Sequence, residues 1–250
     1  EDVTGRFGLG FKSVHLIAAE VGIASGFVAC RVKGGMLPEV WEGGRQVSLD
    51  HSADGRRGTV IELLPDDDRA DQAHAAVQAF CKAARWLPAM SRMVRRIELS
   101  GSEPRLWGAE HLPLAKGIGL VSLSGAAPGR ALTLELGEET TLFLLLSSDG
   151  PVPAEEGLPR LWLLAPLAET LKSGWLINGR TFRVDPGRGS LKRGEGEPQD
   201  TFARLGVTLG ERLIALADLV HDDWATFAAR SGLADESPET GPTTFWTRLS

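Results

Sequence analysis

Three glycines, Gly5, Gly8 and Gly10, stand in the stretch Gly5-Arg6-Phe7-Gly8-Leu9-Gly10-Phe11-Lys12-Ser13. Glycine reaches backbone angles closed to other residues and lets a ligand approach the main chain. Phe11 to Glu20 follows as a predicted helix, with Val14, Ile17 and Ala18 at helical spacing. A helix that opens on such a loop offers free amides and the positive end of its dipole to an anion. Lys12 adds a charge and Ser13 a hydroxyl, so the parts suit a di- or triphosphate. A Walker loop needs glycine directly before lysine, and Phe11 intervenes here. A Rossmann fingerprint needs a third glycine where Ser13 stands, after a strand that this chain does not supply. A glycine-rich turn before a core helix accounts for the same residues without any ligand.

Downstream, Gly22 punctuates the helical pattern, Phe27 to Val32 is rich in strand formers, and Gly34-Gly35 predicts a turn. Glu42 to Arg57 is polar. Gly58-Thr59-Val60-Ile61-Glu62-Leu63-Leu64 reads as a buried strand stopped by Pro65. The acidic run Asp66-Asp67-Asp68 changes the texture, and Ala73, Val77, Phe80, Ala84 and Leu87 then repeat at helical spacing up to Pro88. Strands are predicted at Val94 to Leu99, at Leu132, Leu134 and Leu136 (half-buried, alternating with Thr133 and Glu135), at Thr141 to Leu146, at Leu161 to Leu164 and at Trp175 to Phe182. Leu213, Leu216, Ala217, Val220, Trp224 and Phe227 line one face of a long helix, and the tail after Gly232 reads as loose. The organisation predicted is α+β: residues 1–68, residues 69–231, and a tail over 232–250.

Gly5-x-Phe7-Gly8-x-Gly10-Phe11-x-Ser13, continued by Val14, Leu16-Ile17-Ala18, Val21 and Ser25, resembles the second glycine motif of the GHKL ATPase superfamily, in its heat-shock-chaperone branch. Gly58-Thr59 at the head of a strand resembles the family's next element. Ile177-Asn178-Gly179, Phe182 and Arg188-Gly189-Ser190-Leu191 resemble the middle region of chaperone-like and sacsin-like members. The resemblance covers about 190 residues on three short patches. It implies that residues 1–68 are the lid hinge and distal sheet of a Bergerat-type α/β sandwich, and that residues 69–231 are a middle-type α/β domain. It implies a loop of Gly5, Gly8, Leu9, Gly10, Phe11, Lys12 and Ser13 on the phosphates of ATP, Thr59 near the adenine, and Arg188 reaching the γ-phosphate. Arginine's always-charged fork suits that contact. Asn178 is expected to hold backbone structure. The family's activating glutamate, its magnesium-ligating asparagine and its adenine-reading Asp-x-Gly-x-Gly have no counterpart here, so Mg²⁺ ligands are expected upstream. Because the first residue is Glu1, the chain is expected to be a fragment. The function implied is ATP binding and slow hydrolysis coupled to conformational change, with a protein client or partner domain. The alternative is a non-catalytic protein-binding scaffold that keeps the fold. A DNA-linked ATPase of the gyrase or mismatch-repair kind is a third reading, opposed by Phe7, Phe11 and the acidic balance.

That balance is a net charge of -6 with a pI of about 5.5, which supplies no basic field to recruit nucleic acid. No run of about 18 apolar residues occurs, so no membrane span is expected. Cys30 and Cys81 form no CxxC pair and read as small apolar residues in a reducing, cytoplasmic setting. His15, His51, His74, His111 and His221 are scattered and form no zinc-ligand spacing. Ser124 and Ser190 lack a nucleophile-elbow context. The seven tryptophans read as core or interface anchors.

Overall fold

The computed structural model describes residues 14, 18–26, 28–33, 37–53, 58–91, 93–100, 104–137, 139–163, 165–168, 173–180, 182, 184, 185, 191, 199–220 and 224–231. The chain divides into two compact units, Glu1–Phe80 and Cys81–Ser250. The architecture is mixed α+β.

The first unit is built on a four-stranded antiparallel sheet in the order β3-β2-β1-β4, with β1 at Glu20–Ser25, β2 at Val28–Lys33, β3 at Leu37–Val40 and β4 at Thr59–Leu64. Helix α1, Gly44–Ala53, lies inside the segment that the sequence marks only as polar. The amide of Ala18 bonds to the carbonyl of Val14 at 3.0 Å, and Glu20 already begins β1. The helix predicted to reach Glu20 therefore gives way to strand earlier, and Gly22 sits in mid-strand rather than at a break. Its reason is non-local. A Cβ at Gly22 would lie 2.8 Å from Trp41 Cζ3, and one at Gly44 would lie 2.5 Å from Trp41 Cε3. The two glycines leave the slot that the buried indole fills. Strand β4 is an edge strand, and Ile61 is 53% exposed. The expectation of a buried strand was an inference from apolar content alone, and an edge position does not enforce it.

Helix α2 spans Ala70–Ala84, and the division between the units falls within it. Val77 and Phe80 are exposed while Ala84 is buried, so the periodic apolar stripe is not uniformly a core face. The short helix α3, Leu87–Met90, takes Pro88 in its first turn, where no amide donor is needed.

The second unit carries an eight-stranded sheet in the order β11-β12-β9-β8-β7-β6-β5, with β10 also paired to β9. Its strands are β5 (Arg96–Leu99), β6 (Arg105–Ala115), β7 (Ile118–Gly125), β8 (Gly129–Gly137), β9 (Thr140–Ser147), β10 (Gly150–Pro151), β11 (Leu161–Trp162) and β12 (Leu176–Gly179). Among the described strands only β11 and β12 pair in parallel. Both faces of its centre are covered. On one face Ile118, Leu132, Leu134, Leu142 and Leu144 pack with Leu205, Leu209 and Leu216 of α4 (Gln199–Val220) and Phe227 of α5 (Trp224–Ser231). On the other, Val121, Leu123, Phe143 and Leu145 pack with Trp86, Met90 and Trp162. This explains why β9 is an unbroken apolar run and why Thr133, expected to face water, is buried. The residues predicted to line one long helix belong to two, since Trp224 and Phe227 lie on α5. Among the described residues no helix is long and apolar enough to cross a membrane.

Candidate functional site

Of the predicted site residues, Gly5, Gly8, Leu9, Gly10, Phe11, Lys12 and Ser13 lie outside the described residues, as do Arg188, the Gly34-Gly35 turn and the tail over 232–250. Thr59 is described. It is the first residue of β4, and the antiparallel register sets it opposite Ser25, the last residue of β1. Its exposed hydroxyl donates to Ser25 Oγ at 2.9 Å. Two residues 34 positions apart, both carrying the sequence resemblance, thus meet at one end of a strand pair.

The same register shows what surrounds them. Ser25, Val28, Cys30, Ile61 and Val40 project to one face of the first sheet. That face is apolar; it is exposed at Val28 (60%) and Val40 (85%) and closed at Val21, which is fully buried. The hydroxyl pair stands at its rim. Cys30 is a half-buried free thiol.

The opposite face carries charge, which the sequence did not point to because its partners come from four strands. Arg31 donates from Nη1 to Glu20 at 3.1 Å and from Nη2 to Glu62 at 2.8 Å, and its guanidinium carbon lies 5.1 Å from the centroid of the Trp41 ring. Lys33 Nζ lies 2.8 Å from Glu39 and 3.6 Å from Glu20. The hydrogen bond to Glu39, with the charges of Glu39 and Glu20, holds the Lys33 amine above its ordinary pKa. Arg31 is committed to two carboxylates and a ring face, so it clamps the sheet.

In the second unit Asn178 is buried, and its Nδ2 donates to the carbonyl of Met90 at 3.1 Å. It ties β12 to α3, a structural role. Val184 and Leu191 form an antiparallel bridge, and Leu191 and Phe182 are buried in the same core cluster. Both ends of the segment that contains Arg188 are thereby fixed on one core. His111, on β6, is held below the ordinary imidazole pKa by burial and then by the Arg95 charge. Among the described residues no group of three His, Cys, Asp or Glu side chains comes together to hold a metal.

No protein-family model and no curated protein matches the chain.

Proposed function

We propose that this chain belongs to a chaperone-like ATPase of the GHKL kind, in which ATP binding and slow hydrolysis drive a conformational change. The observation that carries the reading is the meeting of Thr59 and Ser25 at the exposed end of an apolar sheet face. Two hydroxyls beside an apolar surface suit a flat heterocycle with polar edges, the adenine of the nucleotide. β1 is about 17 Å long at about 3.4 Å per residue. The helix predicted over Phe11 to Glu20 yields its end to β1, and the eight residues 11–18 would span about 12 Å as helix. Folded back along β1, such a helix would return the glycine segment toward the Thr59 end, at a distance suited to the phosphates.

Under this reading, Gly8 and Gly10 let backbone amides contact phosphate, Lys12 adds charge, and Thr59 lies by the base. Arg188 recognises the terminal phosphate, and Leu191 anchors its segment. Bound Mg²⁺ would offset phosphate charge, with ligands from residues outside those described. Chemistry of this kind is chiefly positioning and charge stabilisation.

The test is nucleotide binding and turnover by the intact polypeptide that carries this chain. Gly8→Val and Gly10→Val abolish binding, because the branched side chain blocks both the backbone angles and the phosphate approach. Arg188→Ala leaves ADP affinity unchanged and lowers ATP turnover by about ten- to a thousandfold. Normal ATP binding by the glycine variants sinks the proposal. The second reading, a protein-binding module without hydrolysis, is favoured by the exposure of Val28, Ile61 and Val40. It predicts no turnover and a partner whose binding Ile61→Lys abolishes.

A further inference from the structure

Helix α4 turns Leu205, Leu209 and Leu216 into the core of the second unit. Another face of the same helix is apolar without being buried. Ile214 is 69% exposed and Val207 49%. These two are seven residues apart, and Gly210 and Ala217 alternate with them at the three- and four-residue steps of a coiled-coil seam. β-branched residues occupy one seam position and small residues the other.

The small residues leave a hollow. A cleft of about 280 Å³ is lined by Gly210, Leu213, Ile214, Ala217 and Trp224. The first four are spaced i, i+3, i+4, i+7, the four-residue hole into which a knob from a facing helix inserts. A Cβ at Gly210 would meet nothing within 4 Å, so the hollow is open at its centre. Apart from the Trp224 indole its lining side chains are small or aliphatic, and they fit a branched aliphatic side chain.

We propose that the chain forms a two-fold dimer through α4, with Ile214 of each copy seated over Gly210 of the other. Hole and knob lie on one helix face, and Ile214 belongs to both. A surface that complements itself in this way is what a two-fold, isologous contact requires. An antiparallel pairing centred at position 212 sets Ile214 over Gly210 twice and Val207 over Ala217 twice. Each layer matches a branched side chain with a small one. The same alignment brings Arg204 of one copy near Asp218 of the other at both ends, opposite charges flanking an apolar seam. Glu211 lies beside the axis at the solvent rim, where salt screens its counterpart. Arg212 does not obstruct the seam, because its Nε donates to the carbonyl of Glu135 on β8 at 3.1 Å. This proposal does not depend on the nucleotide reading.

A single helix pair is a small interface, so association in the micromolar range is expected. Sedimentation velocity of the full chain, from about 1 to about 200 µM, reads it directly. The wild-type coefficient rises from monomer to dimer across that range. Ile214→Lys removes the knob and Gly210→Leu fills the hole; each weakens association by about tenfold or more, as loss of a central apolar anchor does. Thermal melts at low concentration, followed by circular dichroism, separate this from misfolding. Ile214 is exposed, and Gly210→Leu places a good helix former in open space, so neither variant lowers the monomer's melting temperature. A wild-type chain that stays monomeric at every concentration overturns the proposal. So does a dimer that both variants leave intact.

Discussion

Removing the Trp41 ring tests the account of the first sheet most sharply. The indole is 9% exposed, fills the slot left by Gly22 and Gly44, and lies under the Arg31 guanidinium. An aromatic side chain buries roughly 150–250 Å². At about 25 cal/mol per Å² that is about 4–6 kcal/mol, an upper bound because the unfolded chain is partly collapsed. Measured aromatic-to-alanine losses of roughly 3–5 kcal/mol are the better guide. The cation–π contact adds about 0.5–1 kcal/mol at a partly exposed site. A unit of 80 residues is stable by about 4–12 kcal/mol at typical per-residue values. Trp41→Ala should therefore remove much or all of the stability of Glu1–Phe80. Hydrogen exchange read by mass spectrometry should show β1, β2 and β4 losing protection while β7 to β9 keep theirs. The decisive control is a double-mutant cycle. Gly22→Ala in the wild type pushes a Cβ within 2.8 Å of the ring and should destabilise by about 1–3 kcal/mol. With alanine at 41 the obstacle is gone, and Gly22→Ala should become neutral or stabilise by up to about 1 kcal/mol. If Gly22→Ala has the same sign and size in both backgrounds, the glycine does not exist for the ring and the reasoning fails.

Two further outcomes follow from single residues. His111 should titrate with its midpoint below 6.5 in an NMR pH series, because burial and the Arg95 charge disfavour the imidazolium. In linkage terms the unfolded chain binds the proton more readily. The stability contribution is therefore present above about pH 6.5 and is lost as pH falls toward the folded-state midpoint; a midpoint at or above 6.5 refutes the assignment. Gly125, at φ +95°, has no room for a methyl, since a Cβ there would fall 1.9 Å from the Leu106 carbonyl oxygen. Gly125→Ala should cost more than the roughly 1–3 kcal/mol of the backbone angle alone, and a melting temperature unchanged within error would contradict it.

Much of the strand content was legible because it rests on local pattern. The apolar run at Leu142–Leu146 and the alternation at Leu132, Leu134 and Leu136 announced β9 and β8. What failed depended on distant partners. The role of Gly22 comes from Trp41, nineteen positions away, and no local rule separates a mid-strand glycine from a helix break. Thr133 read as a water-facing residue because the second covering layer, with Trp86 and Met90, is invisible to periodicity. Strand β6 escaped notice, since Pro113, His111 and Gly108 interrupt the alternation that would mark it, and β7 because Gly119, Ser122 and Ser124 dilute its apolar content. The strand that Thr59 heads was legible from its apolar run, whereas the bond from Thr59 to Ser25 required the register. The clamp of Arg31, Glu20 and Glu62 was not legible at all, because charges on separate strands carry no signature until the sheet aligns them.

The outer edge of β9 is shared between two strands. Residues Thr140 to Phe143 pair with β12, and Leu146 and Ser147 pair with the short β10. Since Leu146 also pairs with Arg130 of β8, β10 occupies the same side as β12. It therefore acts as a doorstop for a strand that arrives late in synthesis. If β12 slid toward the β10 end by one position, Leu176 and Ile177 would exchange faces and each would enter the wrong core. With β10 already closed by its tight turn, further slippage runs into an occupied edge. A short hairpin with little stability of its own thus limits how far β12 can slip along β9, and lengthening its turn should produce misregistered folding intermediates before it costs equilibrium stability.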